Sequence, residues 1–355
     1  MTGERLKKLF QTFSREGIDA LLVSSPPNVS YLSGFKGAES WILAGPGKRY
    51  FITDSRYKEQ AAKEASGFEI VLRDKKDVPE LAGEFCGRHG WRRLGFESSV
   101  ITHAFFTGLV RKCSRKLVPT RALVEGLRLI KDTGEIRLMK KAAAIAVDGY
   151  YHVKKTARPG MTERAVQGAL ECHMKKRGAE KPAFDLIIAA GARSSMPHCQ
   201  SNESRVKPNN ILLIDMGAVY GGYFSDLTRP IFLGRINSLQ KKICKIVWDA
   251  QRAGIAKAGP GVPAREVDAA CRRHIEAMGY GGFFGHGTGH GVGLEIHEAP
   301  SVSSKSRTIL KPGMVITVEP GIYLPGRFGI RIEDMVLITE KGREVLTKAL
   351  DNPTL

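Results

Sequence analysis

None of the apolar runs in this chain approaches the roughly 18 residues that a membrane-spanning helix needs, so no such helix is expected. The first residues, Met1 to Arg5, lack the apolar stretch of a signal segment and open an amphipathic one, so secretion is not expected. There is no low-complexity tract, which argues against wholesale disorder. The cysteines (Cys86, Cys113, Cys172, Cys199, Cys244 and Cys271) lie far apart with no C-x-x-C pair, excluding a zinc ribbon or a thioredoxin-like site. They read as reduced, mostly buried thiols of a cytoplasmic protein. There is no G-x-x-x-x-G-K-[ST] loop and no strict G-x-G-x-x-G, which leaves phosphate binding little support.

What is present is an ordinary globular composition, 42% hydrophobic and 26% charged, over 355 residues. That length favours two domains over one core. The odd feature is a net charge of +19. Residues 1–122 hold 21 basic and 13 acidic side chains, a net of +8, so the surplus is shared between both parts. With no long basic tract, a generally basic surface is expected and a nucleic-acid partner is not.

Leu6, Leu9, Phe10 and Phe13 recur at helical spacing. Short strands are expected at 19–23, 41–44, 49–53, 68–72 and 92–97, with a helix at 56–65. This alternation predicts an α/β domain over 1–122. Residues 123–133 read as a linker, and 134–355 as a second domain. There Ile136, Met139, Ala143, Ala146, Tyr150, Val153 and Ala157 form one helical stripe. Strands are expected at 183–190, 210–216, 222–229, 314–319 and 329–339, and helices near 238–258 and 264–278. Strand pairs between helices predict an antiparallel-rich α+β domain.

Three constellations in this second domain carry chemistry. Asp215 ends an apolar strand, and Asp226 follows a glycine-rich turn. If the turn centres on Tyr220-Gly221, Asp215 opposes Asp226; if it is Gly221-Gly222, Asp215 faces Thr228 and Asp226 is its diagonal neighbour. Either register puts two like charges on one face, which a cation or proton must separate. Glu319 and Glu333 lie equidistant from Gly326, so an odd-length hairpin loop centred there opposes them, with Thr317 and Arg331 on the same face. The third is His286-Gly-Thr-Gly-His290, followed by His297. Its alternate glycines disfavour a helix, so these are not a helical metal-ligand pair. Two Asp, two Glu and an imidazole suit hard or borderline ions, Mn²⁺ first, with Co²⁺ or Zn²⁺ as alternatives. Four carboxylates exceed the needs of one zinc and fit two divalent ions about 3.5–4 Å apart sharing a water. Such a site is built for hydrolysis.

In order and context, Asp215, Asp226, His290, Glu319 and Glu333 resemble the five-ligand pattern of the pita-bread metallopeptidases. The branch resembled is that of aminopeptidase P and prolidase (Xaa-Pro dipeptidase). Ile214 to Gly217, Ser225 to Arg229, His286 to His290, Glu319 to Ile322, Arg331 to Glu333 and Met196-Pro-His198 carry the resemblance. In the N-terminal half, Asn28 to Gly34, Thr53 to Tyr57 and Leu129 to Lys131 with Glu135 add to it.

The resemblance implies a creatinase-like N-terminal domain of ribonuclease H-like α/β fold, followed by a pita-bread catalytic domain. It implies a homodimeric exopeptidase that hydrolyses the Xaa-Pro bond through a hydroxide shared by two metals. Glu319 would be ligand and proton shuttle, and His297 would hold the substrate carbonyl oxygen. His198 and His286 would line the substrate side, and Arg331 would order a ligand carboxylate. The implied partner is a proline-containing peptide, with no nucleic acid and no membrane. A metal-free scaffold, a nucleic-acid binder or a creatinase-like amidine hydrolase on this fold would have lost ligands, and all five are present.

Overall fold

The computed structural model describes residues 2–348 and divides into two compact units, one ending at Arg128 and the other starting at Leu129. The first unit holds strands β1 (Ala20–Val23), β2 (Trp41–Gly45), β3 (Lys48–Thr53), β4 (Glu69–Leu72), β5 (Arg93–Glu97) and β6 (Lys116–Thr120). They form one sheet in the order β4-β3-β2-β1-β5-β6. The β1-β2-β3 run is antiparallel and the outer pairings are parallel. Its helices are α1 (Thr2–Glu16), α2 (Pro26–Ser33), α3 (Lys58–Glu64), α4 (Val78–Arg88), α5 (His103–Lys112) and α6 (Leu123–Arg128).

Two sequence expectations need correction here. No element is expected between the strand at 19–23 and the one at 41–44, but Pro26-Pro27 opens helix α2 there, because proline's fixed φ suits a helix start and its missing N–H is not needed at the first positions. The expected linker 123–133 is mostly helix α6, and Asn28 ties it to α2 through Glu125 (2.8 Å) and Arg128 (2.8 Å). The division between the compact units therefore falls at 128/129, inside the stretch read as a linker.

The second unit contains α7 (Thr133–Thr156), α8 (Glu163–Lys176), α9 (Ser238–Lys257) and α10 (Ala264–Ala277). Asp132 and Glu135 form a reciprocal capping box that starts α7, satisfying N–H groups that the first turn leaves free. The strands up to the second constellation are β7 (Lys181–Pro182), β8 (Ile187–Ala190), β9 (Asn210–Met216), β10 (Ala218–Tyr220), β11 (Tyr223–Phe224) and β12 (Leu227–Leu233). The rest are β13 (Gly289–Gly291), β14 (Glu298–Val302), β15 (Val315–Val318), β16 (Gly321–Leu324), β17 (Phe328–Arg331), β18 (Asp334–Thr339) and β19 (Gly342–Val345). Every pairing among them is antiparallel. The single strand expected at 183–190 is instead β7 and β8 in different sheets, because the chain changes sheets between them.

The unit has two similar halves. In one, Tyr150 and Val153 of α7 and Leu170 of α8 pack on Ile188, Leu212 and Ile214. In the other, Ile243 and Val247 of α9 and Val267 of α10 pack on Ile316, Val318 and Ile330. All these side chains are buried, each contributing roughly 1.5–3 kcal/mol of transfer free energy. The strands left between the two helix pairs carry the polar residues considered next.

Candidate metal centre

The first carboxylate pair comes from β9 and β12. Gly221 and Gly222 both have positive φ, at 60° and 81°, as a tight two-residue hairpin turn requires. This selects the register in which Asp215 faces Thr228. Asp226 lies two residues before Thr228 and is buried.

The second pair sits at a break in a long ladder. Gly321 pairs with Arg331 on one side of the break and Val318 with Asp334 on the other. Both pairings have the register centred on Gly326, so Glu319 and Glu333 lie opposite each other in the gap. Their N–H groups go elsewhere: Glu319 donates to the Thr288 carbonyl at 2.8 Å and Glu333 to that of Thr228 at 3.1 Å. The second of these ties Glu333 to the Asp215 hairpin.

The histidine loop is fixed from both sides. Asp268 of α10 accepts from the Thr288 N–H and hydroxyl at 3.1 and 2.9 Å. Its partner Arg272 donates to the carbonyl oxygens of Phe284 and His286. A Cβ at Gly289 would run into the Thr317 carbonyl, so glycine allows β13 its close approach. His290 donates its N–H to Thr317 Oγ1, whose own hydroxyl donates to Glu319 Oε1. His290 Nδ1 lies 3.1 Å from the Gly291 carbonyl oxygen. A carbonyl only accepts, so the proton is assigned to Nδ1 and the Nε2 lone pair faces the carboxylates. Nε2 is 3.4 Å from Glu319 Oε1 and 3.6 Å from Asp226 Oδ2.

These groups converge on a point that needs a cation. One ligand atom each from Asp226, His290 and Glu333 lies within 4.8 Å of the others. Asp215 Oδ1 and Glu333 Oε1 are buried with no hydrogen-bond partner, which is costly for a carboxylate oxygen unless a cation meets it. Burial and mutual repulsion hold the Asp226 and Glu333 carboxyls far above their usual range. Burial raises Glu319 to about 7. Burial also lowers His290 to about 4, keeping its imidazole neutral, as a metal ligand must be. The residues present thus fit divalent ions held by Asp215, Asp226, His290, Glu319 and Glu333.

Behind the carboxylates runs a chain of fixed partners. Arg331 Nη2 donates to Asp215 Oδ2 at 2.6 Å, Nε to Thr228 Oγ1 at 3.1 Å and Nη1 to Tyr323 Oη at 2.8 Å. Thr228 donates to Glu333 Oε2 at 2.6 Å. Tyr323 is 3.0 Å from His286 Nε2, and His286 Nδ1 is 2.8 Å from the Gly287 carbonyl. His286 is therefore the Nδ1–H tautomer accepting from the tyrosine, and both its nitrogens are engaged. Sequence reasoning missed Tyr323, although strand alternation in the Gly326 hairpin puts it diagonally across from Arg331 on one face. It also missed the buried pair of Arg229 and Asp334, at 2.7 Å, which secures the Glu333 carbonyl through Arg229 Nη1.

Asp215, Asp226, His286, His290, Glu319, Arg331 and Glu333 line a cleft of about 990 Å³. His198 and His297 are exposed at its wall, with the His297 ring edge-on to His290 at 4.3 Å between centroids. Phe184, Leu186 and Ile187 give the opening an apolar side.

The model of metallopeptidase family M24 matches residues 137–340, and that of the creatinase/prolidase N-terminal domain matches residues 5–130. The chain is 40% identical over 349 residues to the Xaa-Pro dipeptidase of Pyrococcus horikoshii, covering 98% of this chain and 97% of that one. Among solved structures, the Xaa-Pro dipeptidase from Bacillus anthracis superposes with a TM-score of 0.96 at 40% identity, over 99% of this chain and 98% of that one. The X-Pro aminopeptidase from Thermotoga maritima gives 0.89 at 36% identity, over 95% and 97%.

Proposed function

The chain belongs to metallopeptidase family M24, with a creatinase/prolidase N-terminal domain ahead of a pita-bread catalytic domain, and on that premise we propose that it is a two-metal exopeptidase cleaving the Xaa-Pro bond. The observation that carries this reading is the convergence of Asp215, Asp226, His290, Glu319 and Glu333 around orphaned carboxylate oxygens. When bound, the two divalent ions supply Lewis-acid polarisation of the scissile carbonyl and acidify the attacking water. Mn²⁺ is the ion that the oxygen-rich set suits first, ahead of Co²⁺ or Zn²⁺.

The side chains do the rest. Glu319, at the edge of the ligand set and in reach of the cleft, takes the proton from the attacking water and passes it to the departing proline nitrogen. His297, exposed to the cleft, donates to the carbonyl oxygen as negative charge develops there. His198 and His286 line the substrate side, and His286, with both nitrogens engaged, also positions Tyr323. Arg331 fixes Asp215 in its liganding rotamer. An Xaa-Pro bond has no amide N–H for a cleft to hold, so selection falls on the proline ring and the peptide ends. Hydrolysis by the fully metallated homodimer is expected to favour Ala-Pro and Ala-Pro-Ala over Ala-Ala and Ala-Ala-Ala by at least about 100-fold in kcat/KM. Equal rates on both series would reject the proline assignment.

A further inference from the structure

A second cavity, of about 340 Å³, lies between α9 and β19. Trp248, Ile255 and Val345 give it an apolar wall, and Trp248 is anchored by partial burial against the core. Arg252, Arg343 and Lys348 surround the same space. All three are exposed, and among the described residues none pairs with a carboxylate. Arg343 is oriented through an Nη1–H bond to the Ala258 carbonyl at 3.0 Å.

The acids nearby are already committed. Asp334 borders the cavity, but its Oδ1 accepts from Arg229 and Thr347, and its Oδ2 from Gln251. Glu344 pairs with Lys140 at 2.7 Å. Among the described residues, three like charges thus share a small concavity with no free counter-charge, and an anion there relieves their repulsion. Guanidinium forks match carboxylate, sulfonate and phosphate geometry. The Trp248 side chain in the wall suits an apolar, aromatic body, and the volume suits a ligand of one-ring size. The geometry points to a second binding site, distinct from the metal cleft, for a small aromatic organic anion. It rests on none of the peptidase assignments.

Calorimetric titration of the metal-loaded full-length protein with benzenesulfonate tests the assignment. Saturable binding of one molecule per chain is expected, with no matching heat from uncharged benzyl alcohol. The double variant R252A/R343A should bind at least about tenfold more weakly, as expected for losing charge-assisted bonds. Both arginines are exposed, and an unchanged far-UV circular dichroism spectrum checks that the variant is folded. R164A, at the wall of the metal cleft, should leave the affinity unchanged. Absence of saturable binding to the unaltered protein overturns the proposal. So does equal affinity in R252A/R343A, or loss of binding in R164A.

Discussion

At the scale of single residues, the site is defined by groups that are expensive to keep as they are. Asp226, Glu319 and Glu333 sit where burial favours the protonated form, while a metal takes only the carboxylate. The sign of the resulting pH dependence follows. A folded pKa raised from about 4.5 to about 7 stabilises the metal-free protein below pH 4.5, and that stability is lost as pH rises through 7. Thermal scans of metal-free protein should therefore show Tm falling between about pH 5 and 7.5, with saturating Mn²⁺ reversing the fall. A metal-free Tm that climbs over this interval would contradict the assignment. Glu319→Gln removes both a ligand charge and the proton carrier, and kcat should drop by about 10²–10⁴-fold. A steady-state assay showing unchanged kcat would dismiss that role. The candidate ligand types stood out in the sequence as two spaced carboxylate pairs and a glycine-flanked histidine, and the structure brings Asp226, His290 and Glu333 together. Tyr323 did not stand out, since a buried tyrosine reads as core until Arg331 and His286 are seen on either side of its hydroxyl.

At the scale of elements, register does the assembling. The Gly326 hairpin could be centred from sequence alone, because Glu319 and Glu333 are equidistant from it, and the ladder has that centre. The Asp215 hairpin left two registers open, and the paired positive φ angles at Gly221 and Gly222 settle which is used. Long helices were legible from their stripes, as with α7. Short or interrupted elements were not: α6 is a helix within the residues read as a linker, and β7 and β8 divide one expected strand between two sheets. In both cases tertiary pairing overrides a local pattern too short to decide. Gly289 offers an element-level test. Gly289→Ala forces a methyl group against the Thr317 carbonyl, displacing β13 and with it His290. The expected cost is about 1–3 kcal/mol, or a Tm lower by roughly 2–12 °C, together with weaker metal retention. A variant with unchanged Tm and metal content would show that the close approach is unimportant.

At the scale of the whole molecule, the two-unit organisation follows the change in sequence pattern near residue 122, although the compact units meet at 128/129. No helix among the described residues is long and apolar enough to cross a membrane. The net charge of +19 stands apart from the catalytic chemistry, because the part that supplies the candidate ligand carboxylates, residues 123–355, still carries a net charge of +11. Metal binding to the native state alone should raise stability by linkage as well as switch on turnover. The most direct test is to measure Ala-Pro hydrolysis against bound metal per chain, from chelator-stripped protein upward through stepwise addition of Mn²⁺. The account predicts no turnover in the stripped protein and full activity as occupancy reaches two ions per chain. Undiminished hydrolysis with no metal bound would contradict it.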